Sequence, residues 1–281
     1  MKTAIWTAFY VNLSPEDAIL EIAKNGYKYA ELSDEHGAAL LKRGDPEAVG
    51  AAFGKFAREA GVTVSQGHLF LAVALCKEGA IEILHKWIDM FCAIGIQNAV
   101  LHPDISFPEG TPKEEIYEQN RVALQKLVAY IGERDLTICL ENLRTEEKPR
   151  YEGTVPHPLH FSSDELLWYI DQIGDEHLGI CLDTGHLQVS RAETQSSFIR
   201  KVGKRLKALH IADNEGERDQ HLMPFCVGKL NVQEVIGALR EVGYEGLFNF
   251  EIGGERRPSL GICAAKLKFL AECVACVENE I

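Results

Sequence analysis

The stretch Gly179-Ile180-Cys181-Leu182-Asp183-Thr184-Gly185-His186 joins an apolar run to an acid and an imidazole three residues apart. The run reads as a short buried β-strand, which by itself gives no reason for a carboxylate and an imidazole at its tip. Where a strand opens into a loop, that pair suits a divalent metal ion. The plan recurs along the chain. His68 and His102 close strand-like runs, and Glu141 follows Thr137-Ile138-Cys139-Leu140. His210 sits between Leu209 and Ile211, and Glu251 between Phe250 and Ile252, where an unpartnered polar group is costly. Asp219 and His221 lie in the polar run after His210. Each of these residues also has a plainer reading as a turn residue, a loop starter or a solvated strand end, and Asp219 and His221 alone read as a solvated loop. The shared placement favours a metal, because 10 histidines scattered at random would not gather at strand ends.

The elements that must position these groups alternate. Strand-like segments at 2–9, 27–32, 62–66, 98–101, 136–140, the stretch ending at Asp183, 206–212 and 247–252 are separated by helix-like ones. Ser14-Pro15 and Asp45-Pro46 give an N-cap followed by proline at the first helical position, and Gly26 and Gly61 supply C-terminal stops. The second strand leads into a loop carrying Glu35 and His36. Glu141-Asn142 opens a loop of about 20 residues holding Arg144, Arg150 and His157, long enough to suggest function. Eight strand-then-helix units of about 35 residues each predict an α/β fold, a (β/α)8 TIM barrel, as a single domain over 1–281. An open doubly wound sheet is the alternative, but no Gly-rich phosphate fingerprint follows the first strand. In a barrel the C-terminal strand ends form one mouth, so the residues above would converge there.

A net charge of -13 over 281 residues counts against a polyanion partner such as nucleic acid without excluding one. The N-terminus runs straight into a strand-like segment with no signal-peptide core, and no apolar stretch approaches the roughly 18 residues of a membrane span, so a cytoplasmic protein with no membrane partner is expected. The 8 cysteines read as reduced residues, with Cys273 and Cys276 on a helix face rather than in a zinc knuckle. The apolar run 69–75 beside the mouth reads as a pocket wall or a subunit contact, which leaves a homo-oligomer open.

At these residues the sequence resembles the xylose-isomerase-like barrel superfamily over essentially its whole length. One branch of that superfamily comprises sugar and sugar-phosphate isomerases and epimerases that hold one divalent ion with Glu, Asp, His and Glu from strands five to eight. By strand position the resemblance implies Glu141, Asp183, His210 and Glu251 as those ligands. Ser14-Pro15-Glu16-Asp17-Ala18 and the run from Gly26-Tyr27 to Ala30-Glu31-Leu32-Ser33 are similar to this branch. The other branch comprises apurinic/apyrimidinic endonucleases of the endonuclease IV type, with three zinc ions. Its larger ligand set would add His68, His102, His186, Asp219 and His221; the stretch ending at His186 and Asp219-Gln220-His221 resemble two of its signatures. The chain departs from the endonuclease pattern in a short segment 210–219 without its Lys, in the absence of a Gly-Glu-Gly turn after His221, and in a 36–43 loop with no base-wedge aromatic.

The resemblance therefore implies a metal-dependent isomerase or epimerase of a ketose or sugar phosphate, working through an ene-diolate, with Glu141 and Glu251 moving the proton. The cofactor would be Zn, Mn, Mg or Co, as one ion or up to three Zn. His36, Asn142, His186 and Arg218 are the candidate substrate-binding residues. The alternatives are zinc-dependent hydrolysis of phosphodiesters at abasic sites, and a non-catalytic sugar-binding barrel.

Overall fold

The computed structural model describes residues 1–144, 151–253 and 259–280. Parallel strands run in the order β8-β1-β2-β3-β4-β5-β6-β7, with β1 Lys2–Trp6, β2 Tyr29–Leu32, β3 Thr63–His68, β4 Asn98–Leu101, β5 Thr137–Glu141, β6 Leu178–Asp183, β7 Leu206–His210 and β8 Leu247–Phe250. The ring is joined just beyond the end of β7. There the Ile211 amide donates to the Asn249 carbonyl at 2.8 Å, and the Glu251 amide donates to the Ile211 carbonyl at 3.1 Å. This is the expected (β/α)8 architecture.

Side chains two apart on a strand share a face. A small buried cluster of Val100, Cys139, Cys181 and Ala208 fills the barrel across β4 to β7. One inward position further along each strand stand His102, Glu141, Asp183 and His210. The same step leads from Gln66 to His68 and from Asn249 to Glu251. Small residues below leave the polar layer above them room to converge.

The helices are α1 Pro15–Lys24, α2 Asp34–Leu41, α3 Pro46–Glu59, α4 Ala80–Ile94, α5 Lys113–Ile131, α6 Ser163–Ile173, α7 Thr184–Ser190, α8 Gln195–Val202, α9 Val232–Glu241 and α10 Leu260–Glu280. In α4, Leu84, Trp87, Ile88 and Phe91 are buried at helical spacing. Gly67 beside the mouth permits that packing, since a Cβ there would lie 2.8 Å from the Phe91 ring. The caps fall where the sequence places them: the Ser14 hydroxyl accepts from the Asp17 amide, and Asp45 accepts from the Ala48 amide.

Two expectations about elements change. The segment after β2 is helical, because Ser33 caps α2 and its first turn carries Asp34 and Glu35. The turn after Asp183 is also helical, as α7. The long loop after β5 forms a short ribbon, Val155–Pro156, paired with Ser106–Phe107; Arg150 lies outside the described residues. The 8 cysteines are free, with Cys139 and Cys181 buried in the barrel and Cys273 and Cys276 on α10. Among the described residues no helix is long and apolar enough to cross a membrane.

Candidate metal centre

Glu141, Asp183, His210 and Glu251, from β5 to β8, each offer one ligand atom, and those atoms lie within 4.8 Å of one another. His68, Glu141 and His210 form an overlapping group of the same kind. Asp183 Oδ1 accepts from the His186 amide at 2.6 Å and so caps α7. Among the described residues Asp183 Oδ2 is buried without a hydrogen-bond partner, and Glu251 Oε2 makes no aligned hydrogen bond, its one close polar neighbour being His210 Nδ1 at 2.9 Å. Buried oxygens of two carboxylates, grouped with an imidazole nitrogen and a third carboxylate, form a donor set that fits a divalent cation.

The other candidate ligands stand around this group. His102 Nε2 is 3.0 Å and His68 Nε2 3.4 Å from Glu141 Oε2. His186 Nδ1 is 3.2 Å from Glu141 Oε1. Asp219 Oδ2 lies 2.9 Å from His221 Nε2 and 3.6 Å from His186 Nε2. His221 Nδ1 is fixed on the Glu251 carbonyl at 2.8 Å, and its ring stacks on Trp6 at 5.7 Å with the planes 7° apart.

The proposed substrate-binding residues separate. His186 lines the mouth, a cavity of about 450 Å³ that also includes Trp6, Asp34, Glu35, Leu71, Ala72 and Arg144 in its wall. His36 does not line it: α2 carries the ring inward, and its Nε2 sits 3.2 Å from the Leu13 carbonyl. Asn142 is a brace. Its amide donates to the Asp183 carbonyl at 2.9 Å, and its Oδ1 accepts from the Asp183 amide at 2.8 Å, which ties the tip of β5 to that of β6. Arg218 is exposed and is not among the lining residues. Among the described residues lining the mouth, the lysine or arginine is Arg144, 3.1 Å from Asp219 Oδ2. Its signal in the sequence was its place three residues after Glu141. The 69–75 run serves as wall, with Leu71 and Ala72 facing the cavity and Leu69 and Leu75 buried.

The loop carrying Asp219 and His221 is held by Asp213, which pairs with Leu222 through the backbone and whose Oδ1 accepts from the Asn214 and Leu230 amides. Gly228 packs directly on that carboxylate, and a Cβ there would lie 2.0 Å from Asp213 Cγ. Gly228→Ala is expected to destabilise the protein by about 1–3 kcal/mol through overpacking, read by denaturant unfolding. Stability equal to wild type would show that this loop yields freely.

Burial disfavours charge throughout the cluster, and the pairing of acids with imidazoles decides each case. Burial pushes Asp183 up to about 7, helped by Glu251, Glu141 and Asp219, while His186 works against it. Burial also raises Glu251, but His210 outweighs it and holds the carboxyl at about 2. For His210, burial is outweighed by neighbouring groups including Glu251, Glu31 and Glu141, so its pKa stands well above the ordinary imidazole value. Asp183 and His210 thus hold protons more tightly than an ordinary carboxyl or imidazole, and a cation bound by them would displace those protons. Cation affinity is expected to rise with pH, roughly tenfold per unit for each displaced proton, and to flatten for Asp183 above about 7. Competition titrations at pH 6 and pH 8 check this; equal dissociation constants would contradict it.

An uncharacterized protein, y4fM of Sinorhizobium fredii, is 28% identical over 184 residues, covering 64% of this chain and 55% of that protein. The D-psicose 3-epimerase of Enterocloster bolteae is 32% identical over 123 residues, covering 44% of this chain and 36% of the epimerase. The chain therefore spans about half the length, or less, of these relatives. The crystal structure of a D-tagatose 3-epimerase-like protein superposes with a TM-score of 0.77 over 100% of this chain and 99% of that one, at 20% identity, a likeness of fold. The family profile described as xylose isomerase-like TIM barrel matches residues 19–273, and the chain belongs to that family.

Proposed function

We propose that this chain is a divalent-metal-dependent epimerase or isomerase of a ketose or ketose phosphate. The observation that carries this reading is the meeting of Glu141, Asp183, His210 and Glu251 at the barrel mouth, with Asp183 Oδ2 buried and unpartnered among the described residues. Its similarity to a D-psicose 3-epimerase supports a small sugar as substrate. These four residues would hold the cation, which when bound supplies Lewis-acid polarisation of a carbonyl and its neighbouring hydroxyl.

The chain's own groups then move the proton. Epimerisation next to a carbonyl needs a base to take the α-proton and an acid to return one to the opposite face; return to the neighbouring carbon gives isomerisation. Glu141 and Glu251 come from strands three places apart in the ring, which suits them to flank a sugar from two sides. Glu251 Oε2 makes no aligned hydrogen bond among the described residues and stands 2.9 Å from His210 Nδ1, so it can accept a proton once His210 has given up its own. The Trp6 ring, its indole N–H fixed on the Ile252 carbonyl at 2.8 Å, offers an apolar wall for the sugar's C–H face. Asp34 and Glu35 add carboxylates to the described cavity wall, which also holds Arg144.

The test is incubation of the metal-loaded protein with ketohexoses and ketopentoses in D2O. The reading expects deuterium at the carbon beside the carbonyl together with an epimer or aldose. No exchange into any ketose or ketose phosphate would refute it.

A second reading, zinc-dependent hydrolysis at abasic sites, is favoured by one observation. His68, His102, His186, Asp219 and His221 crowd the mouth beyond the four-residue set, enough donors for more than one zinc. The net charge of -13 and the carboxylates of Asp34 and Glu35 in the described cavity wall weigh against a DNA substrate. Chelator-sensitive incision of abasic duplex DNA would move the assignment to this reading.

A further inference from the structure

Beneath the mouth lies a buried carboxylate that the mechanism above does not use. Glu31, on β2 where the register with β3 shifts between Ala30 and Glu31, is 0% exposed. Its Oε2 accepts from the Gln66 amide at 2.7 Å and from the Asn249 amide. Gln66 is itself oriented by a second hydrogen bond, from Nε2 to the Leu209 carbonyl at 3.3 Å. Glu31 Oε1 remains, 3.0 Å from His210 Nε2. On the other side of that ring, His210 Nδ1 is 2.9 Å from Glu251 Oε2 and 3.2 Å from Glu141 Oε1.

We infer that Glu31 is a positioning residue that holds His210 as the Nε2–H tautomer, so that the Nδ1 lone pair faces the cation site. The inference rests on the cation reading above. A neutral imidazole carries one proton, and an ionised carboxylate can only accept. With two amide N–H groups already on Oε2, Glu31 asks His210 for a donor, and Nε2 is the atom in reach. When His210 gives up one of its two protons to a bound cation, Nδ1 is the nitrogen left bare, oriented between two of the other candidate ligands. Groups that orient a metal-ligating histidine from behind set both its tautomer and its ligand strength.

Glu31→Gln exposes the dependence. If the new carbonyl oxygen takes over the Gln66 and Asn249 donors, the new NH2 group faces Nε2, which must then accept, and the proton moves to Nδ1. The opposite orientation sets that NH2 group against two amide donors. Either arrangement weakens the site.

The experiment has two arms. Zinc affinity of wild type and E31Q is measured by competition with a chelating indicator, and the variant is expected to bind about 10–100-fold more weakly. In zinc-loaded wild type with 15N-labelled histidine, the His210 ring is expected to show Nε2 protonated and Nδ1 bound to zinc. This arm does not depend on whether the variant folds. Wild type that binds zinc through His210 Nε2, or an E31Q variant within about twofold of wild type, would overturn the inference and leave the cation site standing. Wild type that takes up no zinc, manganese or cobalt would overturn the cation reading and this inference with it.

Discussion

Glu251→Gln is expected to lower turnover of a ketose by about 10²–10⁴-fold, the range a positioned acid or base contributes, with a smaller change in cation affinity. The substitution preserves size and can keep a neutral oxygen where Glu251 Oε2 now stands, but an amide oxygen is too weakly basic to take a proton at neutral pH. Glu251 is buried and lies 2.9 Å from His210 Nδ1. That neighbour holds the carboxyl at about 2 while His210 is protonated. Once His210 loses that proton to act as a ligand, the pull on Glu251 falls and its basicity recovers. Deuterium exchange at the substrate carbon measures the proton step directly. Exchange at the wild-type rate in Glu251→Gln would remove Glu251 from that step.

Replacing Asp183 separates its structural task from its chemical one. Oδ1 caps α7 through the His186 amide at 2.6 Å, and Oδ2 is buried without a partner. Asp183→Asn keeps an oxygen for the cap and removes the negative charge. Its cation affinity is expected to drop by more than the roughly 10–100-fold that loss of an outer-shell partner costs, with the thermal midpoint of the metal-free protein little changed. Asp183→Ala is expected to lose the same affinity and about 1 kcal/mol of stability besides, through the missing cap. Calorimetric titration with manganese and a melting curve read the two effects apart. Cation affinity retained in Asp183→Asn would exclude Asp183 as a ligand.

The sequence carried the fold because its two periodicities are unambiguous. Strand runs ended in Gly, Pro or a polar residue, and helices opened on Ser14, Asp45 and Asn231. The ligand candidates were legible because an acid or imidazole directly after an apolar run has few inexpensive explanations. What failed to show depended on a few degrees of backbone. The acidic first turn after Ser33 is a helix start, and reading it as loop put His36 at the mouth when α2 turns it onto the Leu13 carbonyl. Glu31 was hidden inside Tyr29-Ala30-Glu31-Leu32, where alternation alone does not say which side chain enters the barrel and the register shift decides. Arg144 and Arg218 look alike in sequence, and only the path of their loops puts the first in the mouth and leaves the second exposed. Asn142 stands in the sequence as a substrate-binding candidate, whereas both ends of its amide are used to tie β5 to β6.

The account depends most on the cation, and the metal content of purified protein dialysed at pH 8 tests it most directly. With zinc, manganese or cobalt supplied during preparation, elemental analysis is expected to find at least about one tightly held divalent ion per chain, lost in the Glu141→Ala and Asp183→Ala variants. Protein that retains no stoichiometric ion under those conditions, or variants that retain as much as wild type, would contradict a metal centre built from β5 to β8.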